Sequence, residues 1–597
     1  MTHVPPSPDS FSRLGVGAGA EDPPQVDGKR DGSAGVGPVV ADRHGLVPAD
    51  AVLSAGRDTA GWGVHRVMGL ETEYGVHAPA NPGAGHSVLS VEVVNAYADL
   101  VTSRGGTVAG TEWDYGEESP LVDARGWQLP RSAAHPTQLT DQPLMGEDGS
   151  PVHLLTNLVL PNGARLYVDH AHPEYSSPET TNPLDAMVWD QAGDLVALAA
   201  SQRIAAAPGE PQVLLYKNNT DNKSVSYGAH ENYLVTRSLD FEELAQRLLP
   251  FFTARQVICG AGRVGLGVTG SSPGFQISQR ADFFEEQVGL ETTVRRPIVN
   301  TRDEPHADAD RYRRLHVIIG DANLSQYATW LRCGMTALVL SMIELGTAPE
   351  VELMDPVTAL QRISHDPTLQ ATVPLVRPLD GAGPGGRREA TGLEILRVYL
   401  EAAERHVHRF GMEDGATLDV LHAWRESVET LGTEPAAMSD RLDWVAKYQL
   451  LSGYRKRHGL DWDDPRLGMM DLQYADLRPD KGLYQAMLRR GSLRRLVPDE
   501  RIRDAVGTPP PDTRAWARGR TVDVFGRHVV GASWDTLLVR EEGEGPLHRF
   551  HQREPLAGSA EQLPGVFDEP AAEGSYGRLL EALSRVQAGP PRHHGHH

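Results

Sequence analysis

Asn162-Gly-Ala-Arg-Leu-Tyr-Val-Asp-His-Ala-His-Pro-Glu-Tyr-Ser-Ser-Pro-Glu179 joins a turn, alternating polar and apolar residues, and a second carboxylate within eighteen residues. An Asn-Gly turn opens it, and the alternation from Gly163 to His170 predicts a short strand, on which side chains two apart share a face. Arg165, Tyr167 and Asp169 therefore point one way, and Leu166 and Val168 point the other way, into a core. Pro173 is expected to end the strand, with Glu174 following at once. An apolar back carrying a row of cation, phenol and carboxylate suits the lining of a polar pocket. The same row also fits a solvated outer face with an ordinary ion pair, and this segment alone leaves both readings open.

A chain of 597 residues exceeds one compact core, which implies a large catalytic-sized domain with smaller pieces attached. Hydrophobic content of 40% and charged content of 23% are those of a soluble protein, and a net charge of -23 argues against non-specific nucleic-acid binding. The cysteines, Cys259 and Cys333, supply neither a disulfide framework nor a thiolate metal site. No apolar run is long enough for a membrane span and Met1 opens no signal peptide, so the expectation is a cytoplasmic protein without membrane or nucleic-acid partners.

Residues 1–62 are rich in Gly, Pro, Ala, Ser and Asp without periodicity and are expected to be a disordered extension. A large domain is expected over 63–496, beginning with a strand near Val64 that carries Glu71 and Glu73 two residues apart. They either share a pocket or form the wet side of an edge strand. Residues 103–155 read as an insertion loop containing Trp113, Tyr115 and Trp127. Its expected role is gating, so that deleting Thr107 to Gln142 should leave the melting temperature near native. Helices are predicted over 87–101, 185–206 and 328–345, and strands over 213–219, 230–236, 274–280 and 314–319. His230 shares a face with Asn232, and Arg314 shares one with His316. Thr391-Gly-Leu-Glu394 predicts a capped helix start after a Gly-rich loop at 380–386. Beyond Leu496 a small C-terminal domain is expected over 497–585, with a strand at Thr521–Val530, followed by a His-rich tail over 586–597.

Two motifs mislead. Gly260-Ala-Gly-Arg-Val-Gly265 satisfies the dinucleotide fingerprint but is not followed by a helix. Gly270-Ser-Ser-Pro-Gly274 mimics a nucleophile elbow, yet Pro273 has no N–H to offer an oxyanion. What remains is one pattern repeated on four strands: Glu71 with Glu73, the Arg165 row with Glu174, His230 with Asn232, and Arg314 with His316. Carboxylates suit Mg²⁺ shared with phosphates, and arginines suit the phosphates themselves, so the set suggests a Mg-nucleotide site.

Five segments are similar to the Pup ligase and Pup deamidase/depupylase family: Gly69–Gly75, the opening stretch, Leu215–Asp221, Ser226–Leu234 and Asn300–Asp321. The resemblance implies an α+β fold like that of glutamine synthetase, a curved, mostly antiparallel sheet packed by helices, plus the small C-terminal domain. Trp113–Gly126 and Gly289-Leu-Glu-Thr-Thr293 resemble the hydrolase branch. That branch implies removal of the amide from the C-terminal Gln of Pup and cleavage of the Pup–lysine isopeptide bond. The ligase of the same family and a catalytically silent nucleotide-binding regulator are the alternatives. The resemblance further implies ATP and Mg²⁺ as cofactors, with ATP not consumed stoichiometrically. It places Glu71, Glu73, Tyr167, Glu174, His230 and His316 around the metal, and Arg165, Ser176, Ser177, Asn232, Arg314 and Trp444 at the nucleotide. Asp169 becomes the catalytic carboxylate, acting as nucleophile or as base. Pup and pupylated proteins are the implied partners, with the proteasomal ATPase as a further candidate. The basic runs Arg489-Arg490 and Arg494-Arg495 are either a docking surface for acidic Pup or a solvated face.

Overall fold

The computed structural model describes residues 59–104, 112–114, 118–134, 156–207, 212–221, 225–379, 386–541, 545–568 and 575–588. The expected N-terminal extension up to residue 58, Tyr115, most of the Gly-rich loop and the end of the His-rich tail lie outside these residues. The described residues begin at Thr59, a few residues before the expected boundary at 62. Gly61–Trp62 pairs with His65–Arg66, and Trp62 packs against the main core.

A six-stranded sheet organises the chain, in the spatial order Tyr312–Val317, Ala229–Thr236, Met68–Glu73, His172–Ser176, Arg165–Asp169, Asn157–Val159. Every neighbouring pair is antiparallel. The Glu71 strand lies inside the sheet, which removes the edge-strand reading. Its rear face buries Leu70, Leu166, Tyr175, Tyr233, Val235, Leu315 and Val317. Against the sheet and in the core behind it pack the helices Pro183–Ala205, Phe241–Cys259 and Gln326–Glu344. Leu166 and Leu70 are 0% and 2% exposed, so slipping either strand by one residue would carry apolar side chains to the polar face.

Pro173 does not end the strand. The chain turns in two residues, with His170 at φ 52°, and returns as His172–Ser176. Pro173 is tolerated because its carbonyl, accepting from Tyr74 N at 2.9 Å, faces the Met68–Glu73 side, where the ladder begins only at Glu174 opposite Glu73. The missing N–H falls where no ladder bond is needed.

The predicted helices form. Thr391 caps Gly392–Phe410 through the reciprocal bond with Glu394, and Gly411 closes that helix at φ +67°. Thr521–Phe525, expected as strand, lies in the helix Ala515–Phe525. Buried Ala517, Arg518, Thr521, Val522 and Phe525 recur at helical spacing, and this burial outweighs the β-branched composition. Strand begins only at Val529. The Gly260–Gly265 motif leads into a hairpin, Arg263–Leu266 with Ser272–Gln276, and opens no helix.

From Ala515 onward the chain gathers around its own apolar cluster, which Trp113 and Val159 join, whereas Ile502 and Ala505 belong to the main core. The described part of the insertion is packed. Glu112–Trp113 adds a parallel strand to Val529–Ala532, Trp113 is 4% exposed, and buried Asp123 accepts from the Thr301 hydroxyl at 2.5 Å. A near-native melting temperature after deleting Thr107 to Gln142 is therefore not what these contacts support. No helix among the described residues is long and apolar enough to cross a membrane.

Candidate functional site

Strand register brings the dispersed residues together. One cross-strand row reads His230, Glu71, Ser176, Arg165, and the next reads Glu73, Glu174, Tyr167, Asn157. Asn232 stands opposite His316, and Asp169 stands opposite His172. Two-residue spacing on separate strands has thus become one polar face.

Two cavities open on that face. The first, about 80 Å³, has apolar walls including Val67, Met68, Leu70, Leu234, Pro305 and Pro555, and a polar rim of Ser176, Ser177, Glu179, Asn232 and Arg514. The second, about 140 Å³, is lined by Glu118, Arg165, Tyr167, Asp169, Glu174, His230, Arg302, Glu304 and His316. Glu71, His306, Arg314 and Trp534 line both.

At the second cavity Glu71, His230 and His316 form one set of possible cation ligands, and Asp169 and Glu174 form another with Glu73, which stands opposite Glu174 in the sheet, the ligand atoms of each set lying within 4.8 Å of one another. Glu71 Oε2 lies 3.1 Å from His230 Nδ1, and its Oε1 accepts from Asn232 Nδ2 at 2.8 Å. Asn232 Oδ1 in turn accepts from Arg314 Nη1 at 2.6 Å, and Arg314 Nε donates to the Glu304 carbonyl at 2.8 Å. Burial alone would raise the Glu71 carboxyl, but the His230 hydrogen bond and the His316 and Arg314 charges hold it well below the usual range. Glu73, also raised by burial, is brought down to about 2 chiefly by His172. Gly228 N donates to Glu73 Oε1 at 2.7 Å, and a Cβ on Gly228 would stand 2.2 Å from His230 Nε2, so only glycine allows this approach.

Glu174 behaves in the opposite way. Burial, then the charges of Asp169, Glu71 and Glu73, push its carboxyl well above the ordinary range, despite hydrogen bonds from the Tyr167 hydroxyl and from Ser176 Oγ at 3.2 Å. Burial, with the Arg314 charge, depresses the His316 imidazolium, so the ring is neutral and able to ligate. Clustered carboxylates without enough protein cations, beside neutral imidazole, are the donor set of a divalent-cation site, and the residues fit Mg²⁺. Burial and the Glu174 charge also raise the Tyr167 phenol, which stays protonated and acts on the cluster through Glu174. Asp169 Oδ2 pairs with His170 Nδ1 at 2.8 Å. Arg165 stacks between Trp113 at 3.9 Å and Tyr167 at 3.8 Å.

Among the expected nucleotide residues, Ser176, Ser177, Asn232 and Arg314 line the first cavity and Arg165 the second. Trp444 is not brought there. It is 1% exposed in the core, where its indole donates to the Val257 carbonyl at 2.9 Å. The indole at the site is Trp534, edge-on to Trp113 at 5.3 Å between ring centroids. Both tryptophans adjoin an aspartate in the sequence, and only packing separates them. Arg302, Glu304 and His306 also line the cavities; they repeat the two-residue spacing in the sequence, but outside any strand and with His306 at φ 46°. Glu118, Glu179 and Arg514 carried no local signal.

The profile of the Pup-ligase protein family matches residues 66–538. A depupylase of Acidothermus cellulolyticus is 49% identical over 510 residues, 85% of this chain and 97% of that protein. A Pup deamidase/depupylase of Mycobacterium tuberculosis is 47% identical over 88% of this chain and 100% of its own length. Among solved structures, the complex of Pup with its ligase PafA superimposes with a TM-score of 0.66 at 29% identity, covering 88% of this chain and 94% of that one. PafA in complex with ADP gives 0.60 at 34% identity, covering 72% and 90%. On a match over this span and relatives aligned along almost their whole length, the chain belongs to the Pup-ligase family.

Proposed function

We propose that this protein is an ATP- and Mg²⁺-dependent amidohydrolase that removes Pup from lysine side chains of pupylated proteins and converts a C-terminal Gln of Pup to Glu. The observation that carries the reading is Asp169, half-exposed in a cavity of unbalanced carboxylates that adjoins a second, largely apolar cavity through shared walls. Hydrolase rather than ligase is favoured by the relatives. Those named depupylase or Pup deamidase are 46–49% identical over 85–88% of this chain, while those named Pup–protein ligase reach 40–42% over 62–69%. The proteasomal ATPase is proposed as a partner on the resemblance alone.

The apolar cavity suits a nucleotide base and sugar, with Asn232, Ser176 and Ser177 on its rim and Arg314 leading toward the second cavity, where Arg165 stands. Glu71, Glu73, Glu174, His230 and His316 would hold Mg²⁺, with Tyr167 steadying Glu174. The ion would supply positive charge to offset that of the carboxylates and of the nucleotide phosphates. Asp169 supplies the electron pair, either to the amide carbon or to a proton of the attacking oxygen nucleophile. In the first case water then cleaves the acyl–Asp169 anhydride and restores the carboxylate, and in the second water is itself the attacking nucleophile; either way the C–N bond breaks, the amine leaves with a proton, and the oxygen of water ends in the new carboxylate. Arg302 and Arg314, which line the same cavity, are the cations available there to offset oxyanion charge. Incubation of a pupylated protein with ATP and Mg²⁺ tests the reading: free target and intact Pup are expected, and a conjugate left unchanged over hours would refute it.

A further inference from the structure

Glu179 lies three residues beyond Ser176, the last residue of the strand that carries Glu174, and it lines the apolar cavity without belonging to the metal cluster. Its carboxylate is committed to two arginines of the C-terminal segment. Arg514 Nε donates to Oε1 at 2.8 Å, and Arg518 reaches both oxygens, Nη2 to Oε2 and Nη1 to Oε1 at 3.3 Å. The three side chains are 13%, 4% and 2% exposed, so the pairing is shielded from water.

Arg518 is occupied on every side. Its Nη1 also donates to the Trp534 carbonyl at 2.8 Å, its Nε donates to the Gly163 carbonyl at 2.9 Å, and its guanidinium carbon lies 5.0 Å from the Trp534 ring centre. Gly163, at φ +79°, permits this approach, since a Cβ there would stand 2.8 Å from the Ala515 carbonyl. Arg514 meanwhile bonds the carbonyls of His306 at 2.6 Å and Gln552 at 2.9 Å. A single carboxylate therefore orients two arginines, and these fix the backbone at Trp534 and His306, two of the four residues that line both cavities.

We propose that Glu179 is a positioning residue for the nucleotide, acting through Arg518 on Trp534. The inference rests on the reading of the apolar cavity as the nucleotide pocket. An ion pair that merely docked the C-terminal segment would affect stability and leave the nucleotide alone. Here the same guanidinium that receives the carboxylate also holds the indole that closes the pocket, so losing the carboxylate lets the indole move. Reach into the pocket is indirect, and Glu179 needs no contact with the ligand.

The test is a double-mutant cycle on ATP affinity in the presence of Mg²⁺, with thermal unfolding recorded for each variant. Glu179→Gln is expected to weaken ATP binding about tenfold, Trp534→Ala to weaken it by a similar factor, and the double variant to bind no worse than Trp534→Ala alone. Should Glu179→Gln fail to fold, Arg518→Lys takes its place, since it keeps the charge and loses the fork that spans carboxylate and carbonyl. Unchanged affinity in a folded Glu179→Gln or Arg518→Lys, or losses that multiply in the double variant, would overturn the inference alone. Failure of the unaltered protein to bind ATP would overturn the nucleotide reading and this inference with it.

Discussion

The two cavities share four wall residues and differ in how their polar groups are satisfied. On the rim of the apolar cavity Ser177, Asn232 and Glu179 are paired: Ser177 Oγ accepts from Leu70 N at 2.9 Å, Asn232 is held between Glu71 and Arg314, and Glu179 is held by two arginines. Around the other, Glu174 is buried among like charges that push its carboxyl up, and Glu71 and Glu73 depend on histidines. A wall whose polar groups are already paired offers shape and binds. A wall with surplus negative charge calls for a cation and is prepared for chemistry. Substitutions in the two walls should therefore separate binding from turnover.

The largest separation is expected for Asp169→Asn. Depupylation should fall by at least about a thousandfold, roughly 4 kcal/mol in barrier, while ATP affinity stays within about twofold, as read by steady-state release of target and by calorimetry. Glu71→Ala should blur the comparison, because Glu71 lines both cavities. Turnover and Mg-ATP affinity should both drop, by about ten- to a hundredfold, and titrations at varied Mg²⁺ would show it.

Deleting Thr107 to Gln142 probes the region that joins the polar cavity to the C-terminal sheet. It removes buried Trp113 and Asp123, and losing one large buried aromatic costs about 3–5 kcal/mol. The melting temperature should fall by several degrees, and calorimetric unfolding at the parent's value would show that these contacts contribute nothing.

Trp444→Phe is the control for the apolar cavity. It leaves the Val257 carbonyl without its indole donor, at a cost of about 1–3 kcal/mol in stability, with ATP affinity unchanged. The smallest effect is one of pH. Burial raises the Glu179 carboxyl, but Arg518 and Arg514 outweigh it and bring it from 4.5 down to about 2. A depressed carboxylate contributes stability that is complete above its unfolded pKa of 4.5 and lost as pH falls through about 2. The gap in melting temperature between the parent protein and Glu179→Gln should therefore be widest above pH 4.5 and close toward pH 2.

The polar cavity was legible in the sequence because its residues alternate along strands, and strand alternation is a local property. Arg165, Tyr167 and Asp169 needed only the pleat to share a face, and antiparallel pairing then set Glu71, His230 and Glu174 beside them. The apolar cavity was less so. Its wall comes partly from the C-terminal segment, and nothing near Trp534 or Trp444 says which indole packs inward. Pro173 misled because a proline's cost depends on which side of the strand its missing N–H faces. Thr521–Phe525 misled because local β-branched composition was read ahead of its helical burial spacing.

Hydrolase and ligase are told apart most directly by giving the unaltered protein Pup ending in Gln, a lysine-bearing target protein, ATP and Mg²⁺, and following ammonia, conjugate and ADP together. Ammonia released in excess over ADP, with no conjugate accumulating, is the predicted result. Conjugate formed together with stoichiometric ADP would contradict it and make the protein a ligase.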